Sequence, residues 1–259
     1  MSPTVRNRRS VVKRLPVFKL GARRYPGRMT FQRARSAEQR EERRRTILDT
    51  ALAMLGEMPV AEVSLNELSR RVGLAKSNVL RYFESREAVL LELLEQALRS
   101  WLAEVADELA AGVDPDRPAR DRGDRFAAVV ARSLARRTVL CGLISAQAGV
   151  LEHNVSVEVV LRYKRSALAS LDMMAELLRR HVPEVGDEAK PVCTLAMILA
   201  GGLWTHARPA ASTLAAYEAD PVVAELRLDM TTSLEHGLAT LIAGAVARHH
   251  RNNTHELIN

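Results

Sequence analysis

Several things are scarce in this chain of 259 residues. It has two cysteines, Cys141 and Cys193, without a local pairing pattern. That excludes a disulfide framework and a cysteine-rich zinc site, and fits a reducing, cytoplasmic compartment. The longest apolar stretch, residues 193–204, falls short of the ~20 helical residues that cross a bilayer, which excludes a transmembrane span. Aromatic residues make up 4%, and no run alternates apolar with β-branched polar positions, so strands are not expected. Proline is missing between Pro59 and Pro115 and again between Pro118 and Pro183, which leaves long stretches free to stay helical. There is no Gly-rich phosphate loop and no Gly-x-Ser-x-Gly elbow. His153, His206, His236, His249 and His250 do not fall at metal-ligand spacing. The chain therefore reads as a protein that is not an enzyme and uses neither metal nor cofactor.

Acid is also missing from the start: none precedes Glu38. The net charge of +7 is distributed unevenly, with residues 1–45 at +12 and the rest at −5. Residues 1–36 carry no periodicity and are broken by Pro3, Pro16, Gly21, Pro26 and Gly27. They read as a basic, disordered extension. It is an arm that touches DNA, an Arg-rich transit peptide, or the product of a start codon upstream of Met29. Starting at Met29 would remove nine basic residues and bring the charge to −2.

What is present is one helix after another. Hydrophobic residues at 47% and charged residues at 27% are a globular balance, and Ala and Leu dominate, so the fold class is all-α. A first helix is expected over 37–55, with Ile47, Ala51 and Leu55 as its buried stripe and Gly56 and Pro59 as its end. Ser64-Leu65-Asn66-Glu67 is a capping box that opens a second helix. Gly73 ends that helix, a third follows over 75–83, and Ser85 caps a fourth over 86–110. The polar loop 114–123 precedes a second block with helices over 124–137, 139–150, 156–181, 188–207 and 221–247. The domain organisation is thus 1–36 extension, 37–92 head, 93–250 body and 251–259 polar tail.

Residues 65–72, the turn Gly73-Leu74-Ala75 and residues 76–82 form a helix-turn-helix candidate. Leu68, Val72, Leu74 and Val79 would be its small core. Lys76, Ser77, Asn78 and Arg81 would be exposed, and those are side-chain types that meet base edges and phosphates. Leu68, Ala75-Lys76, Arg81-Tyr82-Phe83 and Ser85-Arg86-Glu87 closely resemble the DNA-binding region of the tetracycline-repressor (TetR) family over about residues 38–95.

The resemblance implies that Lys76, Ser77 and Asn78 read the major groove and that Tyr82 and Arg86 contact phosphate. Ser64 and Asn66 lie at a helix N-terminus that can meet the DNA backbone. Leu80 departs from the Tyr usual in the family. It can touch a thymine methyl or simply pack. The resemblance further implies a homodimer built from the last two long helices, with Leu195, Ala196, Ile198, Leu199, Ala200, Gly201, Gly202, Leu203, Leu238 and Ile242 fitting a close interface. It also implies a small-molecule pocket in the body whose occupancy releases the operator. Trp101, Gln147, Tyr163, Met174, Trp204 and His206 are the candidate lining, with Cys141, Met173 and Met197 beside them. Their apolar character favours a lipophilic or aromatic effector. The expected function is a ligand-responsive, homodimeric transcriptional repressor acting on double-stranded DNA, with no membrane partner. The alternative is a DNA-binding accessory protein without ligand control.

Overall fold

The computed structural model describes the backbone of residues 27–256 and the side chains of residues 37–251. Residues 1–26, read above as arm, transit peptide or start-site product, lie outside the described residues. The chain forms two units, residues 1–42 and 43–259. In the first, helix runs from Gly27, and every described side chain from Ala37 to Glu42 is exposed. The second unit holds the core.

All described elements are helical. Helix α1 spans Gly27–Glu57. It starts ten residues before the expected position, because the apolar stripe that located it begins only where a face is buried, at Ile47. The Arg, Gln, Ala and Glu residues before it are good helix formers without that stripe. Helix α2 is Leu65–Val72, α3 is Lys76–Val79 and α4 is Arg86–Gly112. Ile47, Ala51 and Met54 of α1, Val63, Leu68 of α2, Val79 of α3 and Phe83 are fully or almost fully buried and make the core of the head.

Helix α4 joins head to body. Its 27 residues span about 40 Å. Ala88 and Val89 lie in the head half of the helix, and Trp101, Val105 and Leu109 lie in the body half. The body then adds α5 (Ala119–Ala135), α6 (Thr138–Ala146), α7 (Val157–His181), α8 (Ala189–His206), α9 (Ala211–Ala219), α10 (Pro221–Ala224) and α11 (Met230–Glu256). Helix α5 packs between α4 and α11, and α8 packs against α6, α7 and α11. Trp101 is core: its indole Nε1 donates to Ser133 Oγ of α5 at 3.2 Å. Both cysteines are buried free thiols. Burial pushes Cys141 up to about 11 and Cys193 up to about 12, so both stay protonated.

The expected last helix over 221–247 divides. Asp220 Oδ1 accepts the Val222 N–H at 2.8 Å and starts α10, and Asp229 Oδ1 accepts the Thr232 N–H at 2.8 Å at the start of α11. The Asp220 cap sits at the expected start, and the Asp229 cap restarts the helix inside what the apolar pattern runs together. Helix α11 continues to Glu256, into the stretch expected to be a polar tail. Neither α9 nor α10 has a buried residue.

Candidate nucleic-acid interface and body cavity

The geometry of the head begins with Ser64. Its Oγ accepts the Glu67 N–H at 3.2 Å and caps α2. Only half of the expected capping box forms, because the Glu67 carboxylate turns to Arg70 and Arg71 instead. Glu67 Oε1 accepts from Arg70 Nη2 at 2.7 Å and from Arg71 Nε at 2.8 Å. These two hydrogen bonds hold the Glu67 carboxyl down at about 2. Arg71 also reaches Glu57 at the end of α1, at 2.6 Å.

Helix α2 ends as the sequence predicts. Gly73 has φ 71 and ψ 30, the left-handed region. Its N–H bonds to Arg70 O at 3.2 Å, and the Leu74 N–H bonds to Ser69 O at 3.0 Å. This is a Schellman closure, which satisfies two carbonyls and turns the chain. Ala75 is extended and begins α3, where Val79 points inward and is fully buried. Lys76, Ser77, Asn78, Leu80 and Arg81 are exposed on the outside. Leu80, at 41% exposure, does not retreat into the core. Among the described residues, no side-chain hydrogen bond or ion pair engages Lys76, Ser77 or Asn78. Asn66 is exposed at the start of α2, beside the Ser64 cap.

Two other cations of the head are used inside it. Arg44 donates from Nη1 to Tyr82 O at 2.8 Å, pairs with Glu92 and lies 4.1 Å over the Phe83 ring. It ties α1 to the end of the α3 turn and to α4. Arg86 donates from Nη1 to Val63 O at 3.0 Å and from Nε to Glu87 Oε1 at 3.1 Å, with its side chain only 19% exposed. It fastens the start of α4 to the segment that leads into α2. Tyr82 is half-buried against the core. The sequence places Arg86 at a phosphate; the structure gives its guanidinium partners within the head.

In the body, a cavity of about 530 Å³ opens between α7 and α8. Of the residues expected to line a pocket, Gln147, Tyr163 and Met174 are brought together here, with Met197. The others lie elsewhere. Trp101 is bonded to Ser133 in the core. Trp204 lines a separate recess with Val60 and Gly142, with the Arg208 guanidinium 3.1 Å over its ring. His206 is exposed at the end of α8, and Met173 is exposed while Cys141 is buried. Leu98, Lys164 and Leu171 line the cavity and were missed. The signal was available in part: Tyr163, Ala167, Leu171 and Met174 recur at helical spacing on one face of α7.

At one end of this cavity the backbone leaves the α-helical path. After α6, Gln147–Leu151 forms a wider turn in which the Glu152 N–H reaches Gln147 O at 3.1 Å. The Glu152 carboxylate accepts from Gln147 Nε2 at 2.8 Å and from Lys164 Nζ at 2.5 Å. The loop continues through Asn154, in the left-handed region at φ 56, to Ser156. The Ser156 N–H donates to Glu84 Oε1, in the head between α3 and α4.

A two-helix turn with an outward polar face, carried on an all-helical body that holds an apolar cavity, defines a helix-turn-helix protein of the regulator type. Residues 95–249 match the family description "Tetracyclin repressor-like, C-terminal domain", and residues 47–93 match "Bacterial regulatory proteins, tetR family". The chain therefore belongs to the tetracycline-repressor family. It is 36% identical over 58 residues to the HTH-type transcriptional regulator EthR of Mycobacterium tuberculosis, a match that spans 22% of this chain and 27% of that protein's length. In fold it is similar to a TetR transcriptional regulator from Rhodococcus sp. RHA1, at 16% identity and TM-score 0.52, over 81% of this chain and 97% of that one. It is also similar to a possible TetR family transcriptional regulator from Streptomyces coelicolor A3(2), at 20% identity and TM-score 0.53, over 79% of this chain and 98% of that one. Among the described residues no helix is long and apolar enough to cross a membrane, and no group of His, Cys, Asp and Glu could hold a metal ion.

Proposed function

We propose that this protein is a cytoplasmic, sequence-specific DNA-binding repressor, not an enzyme, that acts as a homodimer and leaves its operator when a small molecule fills the α7–α8 cavity. One observation carries the DNA reading. The outward side chains of α3 include Lys76, Ser77 and Asn78, which have no described protein partner, on a helix fixed from behind by Val79 and by the Gly73 turn. Donors held in place and left unpaired are what base edges and phosphates require. Leu80 beside them supplies an apolar surface for a thymine methyl, and Arg81, Ser64 and Asn66 border the same surface. Arg86 and Tyr82 act on this surface by positioning it: Arg86 holds the α4 start and the Tyr82 carbonyl anchors Arg44.

Dimerisation falls to the outer face of α8. Leu195, Ile198 and Gly202 are exposed there, with Leu199 half-buried beside them, and Ile198 and Gly202 also line the α7–α8 cavity. Ala196, Ala200, Gly201, Leu203, Leu238 and Ile242, also expected at the interface, are buried within the chain instead. A second copy seated on α8 sets two heads at a fixed spacing for two half-sites. The link from body to head runs through α4 and through Glu84, which holds the loop between the cavity and α7.

The cavity favours ligand control over an accessory role. Fluorescence anisotropy on the DNA just upstream of this protein's own gene tests the reading. Wild type binds, and Lys76→Ala/Asn78→Ala loses about 30-fold or more, from roughly 1–3 kcal/mol for each of two base contacts. The slope of affinity against salt also falls by about 1 if Lys76 meets a phosphate. Unchanged binding by the double variant would remove α3 as the reading helix.

A further inference from the structure

The effector itself is constrained by the charge in the cavity. Its walls are apolar over most of their length, with Leu98, Ile144, Leu171, Met174 and Met197 among them, and Lys164 is the one charged residue of its lining among the described residues. Among the described residues no carboxylate lines it. Lys164 sits at the end where the chain leaves α6, and its ammonium is balanced by one carboxylate, Glu152, outside the lining. That carboxylate has a second donor in Gln147 Nε2, so it keeps a hydrogen bond if the ammonium turns away.

We infer that the ligand of this cavity is an amphiphile with a single anionic head group, which takes Lys164 from Glu152 while its apolar part lies between α7 and α8. The inference rests on the cavity being the effector site, and it adds the class of molecule. An uncharged ligand would leave the Lys164–Glu152 pair intact and gain only apolar burial. A cationic one would meet Lys164 as a like charge at the cavity wall. An anion replaces the half-buried Glu152 carboxylate by one anchored through its own apolar chain, and charge-assisted pairs are stronger than neutral ones. Taking Lys164 also frees Glu152, four residues before the Ser156 N–H that Glu84 holds from the head.

Isothermal titration of the full-length protein with decanoate, 1-decanol and decylamine, at about pH 7.5 where the carboxylate and the amine are both ionised, tests this. Decanoate is expected to bind wild type about tenfold or more tighter than decanol, with decylamine weakest. In Lys164→Met, at a half-exposed position and with a thermal melt to confirm that the variant is folded, the decanoate advantage is expected to fall to about twofold or less while decanol binding holds. Ala167→Phe, which fills the cavity, removes binding of all three. Equal binding of decanoate and decanol to wild type overturns the inference. A decanoate preference that persists in Lys164→Met, or decylamine binding tightest, also overturns it; in each of these cases the cavity remains a ligand site. Binding that survives Ala167→Phe is adsorption elsewhere and overturns it too. If none of the three probes binds, the effector reading of the cavity falls, and this inference falls with it.

Discussion

The head carries its candidate site on the outside and the body carries its own on the inside, and the charged side chains divide accordingly. In the head, cations are abundant, and what separates them is whether the fold has already used them. Arg44, Arg71 and Arg86 are spent on carbonyls and carboxylates within the head, whereas Lys76 has no described partner. In the body the Lys164 ammonium lies in the described lining of an apolar cavity. Net charge therefore says little about either site. A cation's partner decides whether it stabilises, reads DNA or receives a ligand.

The sharpest way to test the contrast is through the two glycines with positive φ among the described residues. Gly186, at φ 52, lies in the segment between α7 and α8, and a Cβ there would collide with the His249 ring of α11. Gly186→Ala adds strain and overpacking, and is expected to lower unfolding free energy by about 3 kcal/mol in thermal or denaturant melts. His249→Ala in the same chain should recover part of it. Gly73, at φ 71, has open space where a Cβ would stand. Gly73→Ala therefore meets only the left-handed backbone penalty, about 1–2 kcal/mol. Equal losses at the two positions would mean that the body yields around His249 as easily as solvent does.

Arg86 separates stabilising cations from reading ones. Arg86→Met removes charge-assisted hydrogen bonds to Val63 O and Glu87, so the head should lose about 1.5–3 kcal/mol. The salt slope of DNA binding should stay put, while Lys76→Ala changes the slope and leaves the melting temperature almost unchanged. A slope that falls by about 1 in Arg86→Met, with stability intact, would make Arg86 a phosphate contact after all.

The smallest effect is the pH dependence of the α2 start. Arg70 and Arg71 hold the Glu67 carboxyl at about 2, below its ordinary value of 4.5. A depressed acid stabilises the fold fully above its ordinary value, and that contribution is lost as pH falls from about 4.5 towards 2. The position is open to solvent on one side, so the effect is small and screened by salt. Stability measured across that window should fall less steeply in Glu67→Gln than in wild type.

How far the sequence could be read differs between the same two regions. The head was legible because its signals are local: Ser64, Gly73 and Ser85 each fix a helix end by a contact within a few residues. Lys76, Ser77 and Asn78 then fall outward by elimination, since Val79 must go in. Arg44 and Arg86 were not legible, because their partners, Tyr82 O and Val63 O, are 38 and 23 residues away. In the body, the helices could be read but their termini were less clear. The pattern 221–247 was continuous in apolar residues, and only the restart at the Asp229 cap divides it. The cavity was half legible. Tyr163 and Met174 could be named by type, but Trp101 and Trp204 are the same types of residue and lie outside it. Nothing in a side chain's chemistry says which void it faces.

The stretch from α9 to Asp229 has a consequence for how the molecule comes apart. It lies between two helices whose inner faces are buried, yet α9 and α10 contribute nothing to the core, and Leu214, Val222, Leu226 and Leu228 stand in solvent. Its backbone bonds can open without exposing anything that was dry. Its amides should exchange with solvent long before those of α8 and α11, and a protease should cut there first. The two long helices would then remain packed against each other as separate chains of one folded body.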